Sequence, residues 1–301
     1  MKPKVLCIGD VMLDVITKIS VMPDQIHYGS DTASQISTHG GGAAGNVASW
    51  LTRTEAEATI VGHVGSDAAG AALMSEFDAL GVRHSNLMVD EGSSGVVVVL
   101  VDPTGERTMF PDNGANSGLH IGDLPDLTGF SAVYLSGYSP LDPLSRPGVL
   151  EMVAKIKSAG IPLYFDPASV GAMMAVPLEE VRSWIRQMDV LLLNEEEAIY
   201  LTGLTNPELA METLLKECET VVIKRGSLGA LGKSRGSILV TVPAVLTEVV
   251  DTTGAGDSFA AGFIATYATS KNMQHALEAG AAVAARCVAI VGARPRVGTV
   301  I

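Results

Sequence analysis

The chain has 301 residues, a formal net charge of −13 and 47% hydrophobic residues, of which few are aromatic. This length suits one large α/β domain, alone or with a small appendage, whose core is built from Val, Leu, Ile, Ala and Met. The negative charge argues against nucleic acid or an anionic membrane surface as a partner, yet leaves room for a phosphate ligand, whose site is a local arrangement of donors and metal.

Val5-Leu6-Cys7-Ile8-Gly9 is a continuous apolar run, as expected of a central parallel strand covered on both faces. Nothing around it resembles a signal peptide, and no apolar stretch nears the roughly 20 residues a bilayer requires. Cys7, Cys218 and Cys287 lie far apart without zinc spacing. A soluble, cytoplasmic protein in a reducing compartment is expected. Asp10 and Asp14 follow the first strand at its carboxyl end, where open α/β sheets bind ligands.

Residues 15–38 break into short strand-like pieces, and Val96–Val101 faces Arg107–Phe110 across a turn containing Pro103 and Gly105. These inserted segments, about 15–38 and 96–110, are assigned to one small β-sheet lid on a single domain spanning 1–301. Val96–Val101 is apolar on both faces, which would invite association if exposed, and a homodimer through the lid is expected. His39-Gly40-Gly41-Gly42-Ala43-Ala44-Gly45-Asn46 leads into a helix ending near Arg53. Gly40, Gly42 and Gly45 satisfy G-x-G-x-x-G, which raises an NAD-binding oxidoreductase as an alternative. That fingerprint belongs directly after the first strand, with an acid about 20 residues on; here the motif comes late, and His63 stands after the next strand.

Downstream, strands are expected at Ile60–Gly62, Ala132–Leu135, Leu163–Phe165, Val190–Leu193 and Val221–Lys224. Helices are expected at 67–80 (N-cap Asp67, C-cap Gly81), 144–159, 195–202, 208–218, 255–269 and 273–290, with a hairpin near 230–242. Alternation of this kind predicts an α/β three-layer sandwich around a mostly parallel central sheet. The six histidines show no ligand spacing and read as surface or loop residues.

Asn194-Glu195-Glu196-Glu197 reads as a capping box at a strand end, and its oxygens equally suit Mg²⁺ held through water beside a triphosphate. Lys224-Arg225-Gly226-Ser227-Leu228-Gly229 follows another strand, its glycines allowing a tight turn or close approach to a flat ligand. In Asp251-Thr252-Thr253-Gly254-Ala255-Gly256-Asp257 a β-branched segment, Leu246–Val250, is read as a strand running through two glycines into a helix. The unpaired N–H groups and dipole of that helix start make an anion site. A carboxylate within it, Asp257, needs a reason.

Together these pieces resemble the ribokinase-like (PfkB) family of carbohydrate and nucleoside kinases. Gly9-Asp10 to Asp14, Gly41–Asn46, Gly114-Ala115-Asn116, Asn194-x-x-Glu197 and Asp251–Asp257 match that family's motifs in order. The resemblance implies transfer of the ATP γ-phosphoryl group to a primary hydroxyl, with Asp257 as the base and the N–H groups of Ala255, Gly256 and Asp257, after Gly254, holding the developing charge. It further implies substrate contacts at Met12, Asp14, Gly42 and Asn46, nucleotide contacts at Asn194, Lys224, Gly226, Ser227, Gly229 and Gly256, and Mg²⁺ at Asn194 and Glu197. Asp251 and Thr253, with the backbone near 291–296, match the family's monovalent-cation site, which holds K⁺ in ribokinases; Arg296 stands where a small hydroxyl residue is usual. Ribokinases carry Asn where this chain has Met12, Lys where it has Ala43 and an acid where it has Gly137. A site built for hydroxyls loses much affinity without those partners. The expected substrate is therefore a small neutral carbohydrate other than ribose, with a nucleoside as the alternative; the few basic lid residues, Lys18 and Arg107, argue against a phosphorylated sugar.

Overall fold

Apolar runs alternating with amphipathic ones resolve into two sheets of unequal size. The computed structural model describes residues 2–298; residue 1 and residues 299–301 of the expected domain lie outside the described residues. The strands are β1 (Lys4–Ile8), β2 (Met12–Ile19), β3 (Ser34–Gly41), β4 (Glu57–Gly65), β5 (Arg83–Asp90), β6 (Gly95–Val101), β7 (Arg107–Asp112), β8 (Ala132–Ser136), β9 (Leu163–Asp166), β10 (Val190–Asn194), β11 (Thr220–Lys224), β12 (Ala230–Ser234) and β13 (Val240–Val242). A nine-stranded sheet runs β13-β12-β11-β10-β9-β8-β1-β4-β5, and a four-stranded sheet runs β3-β2-β6-β7.

In the large sheet, strands from β11 across to β5 pair in parallel, and only β12 and β13 are antiparallel. Side chains alternate between faces along each strand, and both faces are covered. Val5, Cys7, Tyr134, Tyr164 and Leu192 pack with helices Ala43–Leu51, Ala68–Leu80, Ala255–Ser270 and Met273–Val288. Leu6, Ile8, Val133, Phe165 and Leu191 pack with helices Arg146–Ser158, Leu178–Ile185, Glu195–Thr202 and Pro207–Leu214. The result is the expected three-layer sandwich. Burying each such Leu, Ile or Phe contributes about 1.5–3 kcal/mol, so the strand positions are strongly determined. No helix among the described residues is long and apolar enough to cross a membrane.

Because β1, β8, β9, β10 and β11 are parallel neighbours, their carboxyl ends line one edge, with Ser136 opposite Asp166 and Asn194 opposite Lys224. The small sheet stands off this edge. One of its faces carries Asp14, Ile16, Val97, Val99 and Met109; the other carries Val15, Ile36, Val98 and Phe110. The expected insert boundaries widen accordingly, since β2 begins at Met12 and β7 ends at Asp112.

Several expectations are corrected. Leu246–Val250 forms no strand: Leu246 is 99% exposed, and the N–H groups of Val250 and Asp251 go to the Val288 carbonyl at the end of the last helix. The strand at Ile60–Gly62 extends over all of β4, while β5 and helix Leu178–Ile185 were not anticipated. β5 lies at the sheet edge and is largely polar, so it lacks the apolar run of its neighbours. His63 is not a surface residue; it is buried on β4, where its Nε2 lies 2.9 Å from Asp123 Oδ2.

Candidate active site

The helix Ala255–Ser270 begins at Gly254, whose φ of 75° is left-handed and costs a glycine little. The turn before it is tied by Asp251: Oδ1 accepts from Thr253 N (2.9 Å) and Thr253 Oγ1 (2.7 Å), and Oδ2 from Gly292 N (3.0 Å). Arg107, reaching from β7, donates to the same Oδ1 at 2.6 Å and to Thr253 Oγ1 at 2.8 Å. The Ala255 N–H is drawn back to the Thr252 carbonyl at 3.3 Å. The Gly256 and Asp257 N–H groups are first-turn donors without an intrahelical acceptor.

Asp257 thus sits in the first turn of a helix and in a cluster of acids. Its Oδ2 accepts a hydrogen bond from Asn46 Nδ2 at 2.8 Å. Burial pushes its carboxyl up to about 7, with the Asp166 and Asp10 charges adding and the Asn46 hydrogen bond and Lys224 ammonium opposing. Lys224, at the end of β11, lies 2.5 Å from Asp166 Oδ2 at the end of β9. A Cβ placed on Gly256 would come 3.3 Å from Lys224 Nζ, so the ammonium stands directly over the helix start. The Lys224 side chain, 13% exposed, thus brings its positive charge beside the positive end of the helix dipole, and an anion at the helix start would interact favourably with both.

Asn194 and Glu197 form the anticipated capping box: Asn194 Oδ1 accepts from Glu197 N at 2.9 Å, and Glu197 Oε2 from Asn194 N at 2.8 Å. Burial, reinforced by Asp166 and opposed by Lys224, pushes the Glu197 carboxyl up to about 8. Lys224 parts from the rest of its loop. Gly226 and Ser227 stay on an exposed turn closed by Arg225 N to the Gly229 carbonyl at 2.8 Å.

On the other side of Asp257, Asp14 and Met12 are buried on β2. Burial raises the Asp14 carboxyl to about 6 against the opposing charge of Arg294. Asn116, from the expected Gly-Ala-Asn motif, clamps Val11 through both its amide atoms and touches Met12 Sδ at 3.1 Å. Gly42 caps the helix that carries Asn46, and Asp10 joins that helix to β8 by accepting from Ala43 N and Ser136 Oγ, both at 2.7 Å. Asp14, Asn46, Asp257 and Lys224 are therefore one connected region, whereas Gly226 and Ser227 lie outside its buried part.

Asp166 and Arg294 were not singled out from sequence. Asp166 carries the same signal as Asp10, an acid at the end of an apolar strand run. Arg294 carries none, because its role depends on chain segments far apart.

The arrangement has counterparts. The model of the pfkB family of carbohydrate kinases matches residues 2–297. The chain belongs to the pfkB family. Its relatives include an uncharacterised sugar kinase of Archaeoglobus fulgidus, 31% identical over 81% of this chain and 96% of that one. Another is an ATP-dependent ribose-1-phosphate kinase of Halopiger xanaduensis, 29% identical over 97% and 94%. Similar solved structures include the adenosine kinase of Sinorhizobium meliloti (TM-score 0.87, 24% identity, 98% and 96% covered). Arabidopsis thaliana ribokinase in complex with ribose and ATP is another (TM-score 0.82, 26%, 97% and 94%). The protein is a phosphotransferase, a ribokinase-family sugar or nucleoside kinase, and the oxidoreductase alternative falls. The pfkB chain uses its G-x-G-x-x-G glycines otherwise: Gly40 lies on β3, an antiparallel strand of the small sheet, Gly42 caps the next helix and Gly45 lies within it, rather than opening a first βαβ unit.

Proposed function

We propose that this kinase transfers the ATP γ-phosphoryl group to a primary hydroxyl of a small neutral carbohydrate other than ribose. The observation that carries the reading is Asp257: a carboxylate poised near 7, in a helix N-terminus, bonded to an asparagine on the substrate side. A general base is most effective with a pKa near the working pH. Asp257 takes the proton of the attacking hydroxyl; the Gly256 and Asp257 N–H groups, the dipole of their helix and Lys224 stabilise charge on the transferring group. Asp14, Gly42 and Asn46 orient the acceptor, and Gly226, Ser227 and Gly229 border the nucleotide. The small sheet acts as a lid over the acceptor.

Mg²⁺ fits this chain. The hard oxygens of Asn194 and Glu197 suit an ion that keeps its water shell, and a cation there would offset the burial and the Asp166 charge that raise the Glu197 carboxyl. When bound, it neutralises phosphate charge. A monovalent cation fits less well: Asp251 Oδ1 already accepts three hydrogen bonds, one from the Arg107 guanidinium.

Neutrality of the acceptor is supported by the cations around the site. Lys224, Arg107 and Arg294 each pair with a carboxylate, Asp166, Asp251 and Glu76 respectively. A second phosphate would have to displace one of these. A nucleoside is the second reading, favoured by Met109, 54% exposed on the Asp14 face of the small sheet, which offers an apolar surface to a base. ATP consumption measured over pentoses, hexoses, sugar acids, sugar phosphates and nucleosides decides the matter; preference for a sugar phosphate would overturn the neutral reading.

The outward face of the small sheet, with Val98, Phe110 and Ile36 exposed by 39, 56 and 64%, supports a homodimer formed face to face. The three cysteines are free and buried, in keeping with a cytoplasmic setting.

A further inference from the structure

Arg294 is the least expected residue near the site. It lies in the tail after the last helix, is 5% exposed, and its guanidinium carbon sits 4.6 Å from the centre of the Phe77 ring. Its donors go in three directions. NH1 reaches Glu76 Oε2 at 2.7 Å, NH2 the Gly41 carbonyl at 2.6 Å, and Nε the Asn46 Oδ1 at 3.3 Å. Room for it is made by the glycines of the misleading fingerprint. A Cβ on Gly40 would come 2.3 Å from NH1 and one on Gly45 2.3 Å from NH2. Those glycines are small because an arginine threads between them.

We propose that Arg294 is a positioning residue for the proton acceptor: its Nε–H holds the Asn46 amide in the one orientation that presents Nδ2–H to Asp257. A guanidinium has only donors and a carboxylate only acceptors. An amide between them has one satisfied orientation, oxygen toward Arg294 and nitrogen toward Asp257. Rotated by half a turn, it would set donor against donor and oxygen against oxygen. A purely structural arginine would be held by Glu76, Gly41 and Phe77; the bond to Asn46 joins that anchor to the reacting carboxylate. The relay rests on the reading of Asp257 as base. Asp257 also feels Asp10, Asp166 and Lys224, and its charge reaches Tyr134 and Tyr138. These groups stay in place when Arg294 is changed, so a shift on its substitution reports the amide.

The test needs no phosphate acceptor. Full-length protein carrying ¹³Cγ-aspartate is titrated by NMR, and the Asp257 signal is assigned as the one missing in Asp257→Asn. Arg294→Lys keeps the positive charge and loses the fork. Its Asp257 midpoint is expected to rise by about one pH unit, as for a carboxylate that loses a hydrogen bond to its charged form. Asn46→Ala should raise it similarly, and the double variant no further, since the two residues act in series. An unmoved midpoint in Arg294→Lys, or a second full increment in the double variant, overturns the relay. Should Arg294→Lys not fold, the wild-type Asn46 side-chain amide serves: its protons are expected to exchange slowly with solvent, and rapid exchange overturns the proposal. The base reading fails separately, if Asp257→Asn keeps wild-type turnover.

Discussion

The two sheets treat their apolar residues in opposite ways. β1, β8, β9, β10 and β11 bury nearly every side chain between two helical layers, so their ends, and with them Asp10, Asp166 and Lys224, are held from both sides. The small sheet turns one face toward the site and leaves Val98, Phe110 and Ile36 on the other to solvent. In the proposed function the chemistry therefore rests on an over-determined frame, while acceptor choice and assembly rest on an element held from one side only. Substitutions in the frame should change rate; substitutions on the outer face of the small sheet should change association and leave the rate constant for transfer almost alone.

Asp257→Asn puts the largest strain on this division. Loss of a general base costs about 10²–10⁴ in kcat, and the folded state should survive, because the amide fits the same space. Wild-type kcat/KM should rise with pH through about 7, as the carboxyl raised by burial ionises. The stability consequence has the opposite sign. A carboxyl whose folded pKa is raised contributes stability below its unfolded pKa, near 4, that is lost as pH rises through about 7. Asp257→Asn should therefore gain in melting temperature relative to wild type at pH 8 and not at pH 4. Equal melting differences at both pH values would mean that the frame does not strain this carboxylate.

A smaller effect is expected from the other region. Phe110→Lys on the outer face of β7 should convert a dimer to a monomer in light scattering at micromolar concentration, with kcat little changed. A wild-type monomer would remove the face-to-face dimer; a large fall in kcat would show that the small sheet is coupled to the chemistry after all.

This contrast also explains what could be read in advance. Runs such as Val5–Ile8 and Val190–Leu193 are apolar at every position because both faces are covered, so the frame and its strand ends were legible. Leu246–Val250 is β-branched at three of its five positions but has no partner strand; β-branched composition alone does not distinguish a strand from an extended connector whose N–H groups cap a helix end. β5, an edge strand with polar residues from Arg83 to Asn86, shows the converse. Within the site, Asp257 and Asp14 stood in recognisable motifs, and Asp166 had the strand-end signal without a motif around it. Gly40 and Gly45 were read by spacing, although their smallness answers to Arg294, some 250 positions away along the chain.

The smallest effect concerns the seam between the regions, where Arg107 of the small sheet meets Asp251 of the frame. The guanidinium donates to Asp251 and Thr253, and hydrogen bonding, chiefly from the Thr253 hydroxyl and the Gly292 N–H, together with the Arg107 charge, keeps the Asp251 carboxyl below its ordinary range despite burial. A K⁺ ion would have to displace a planar, permanently charged fork from a carboxylate it suits well. Exchanging K⁺ for choline should therefore leave wild-type kcat/KM unchanged. Arg107→Gln frees one lone-pair direction on Asp251 Oδ1 and removes the competing charge, so this variant should lose activity and recover part of it on addition of K⁺. Strong K⁺ activation of the wild type would show instead that the cation displaces Arg107, freeing the small sheet from the frame at the moment the site is loaded.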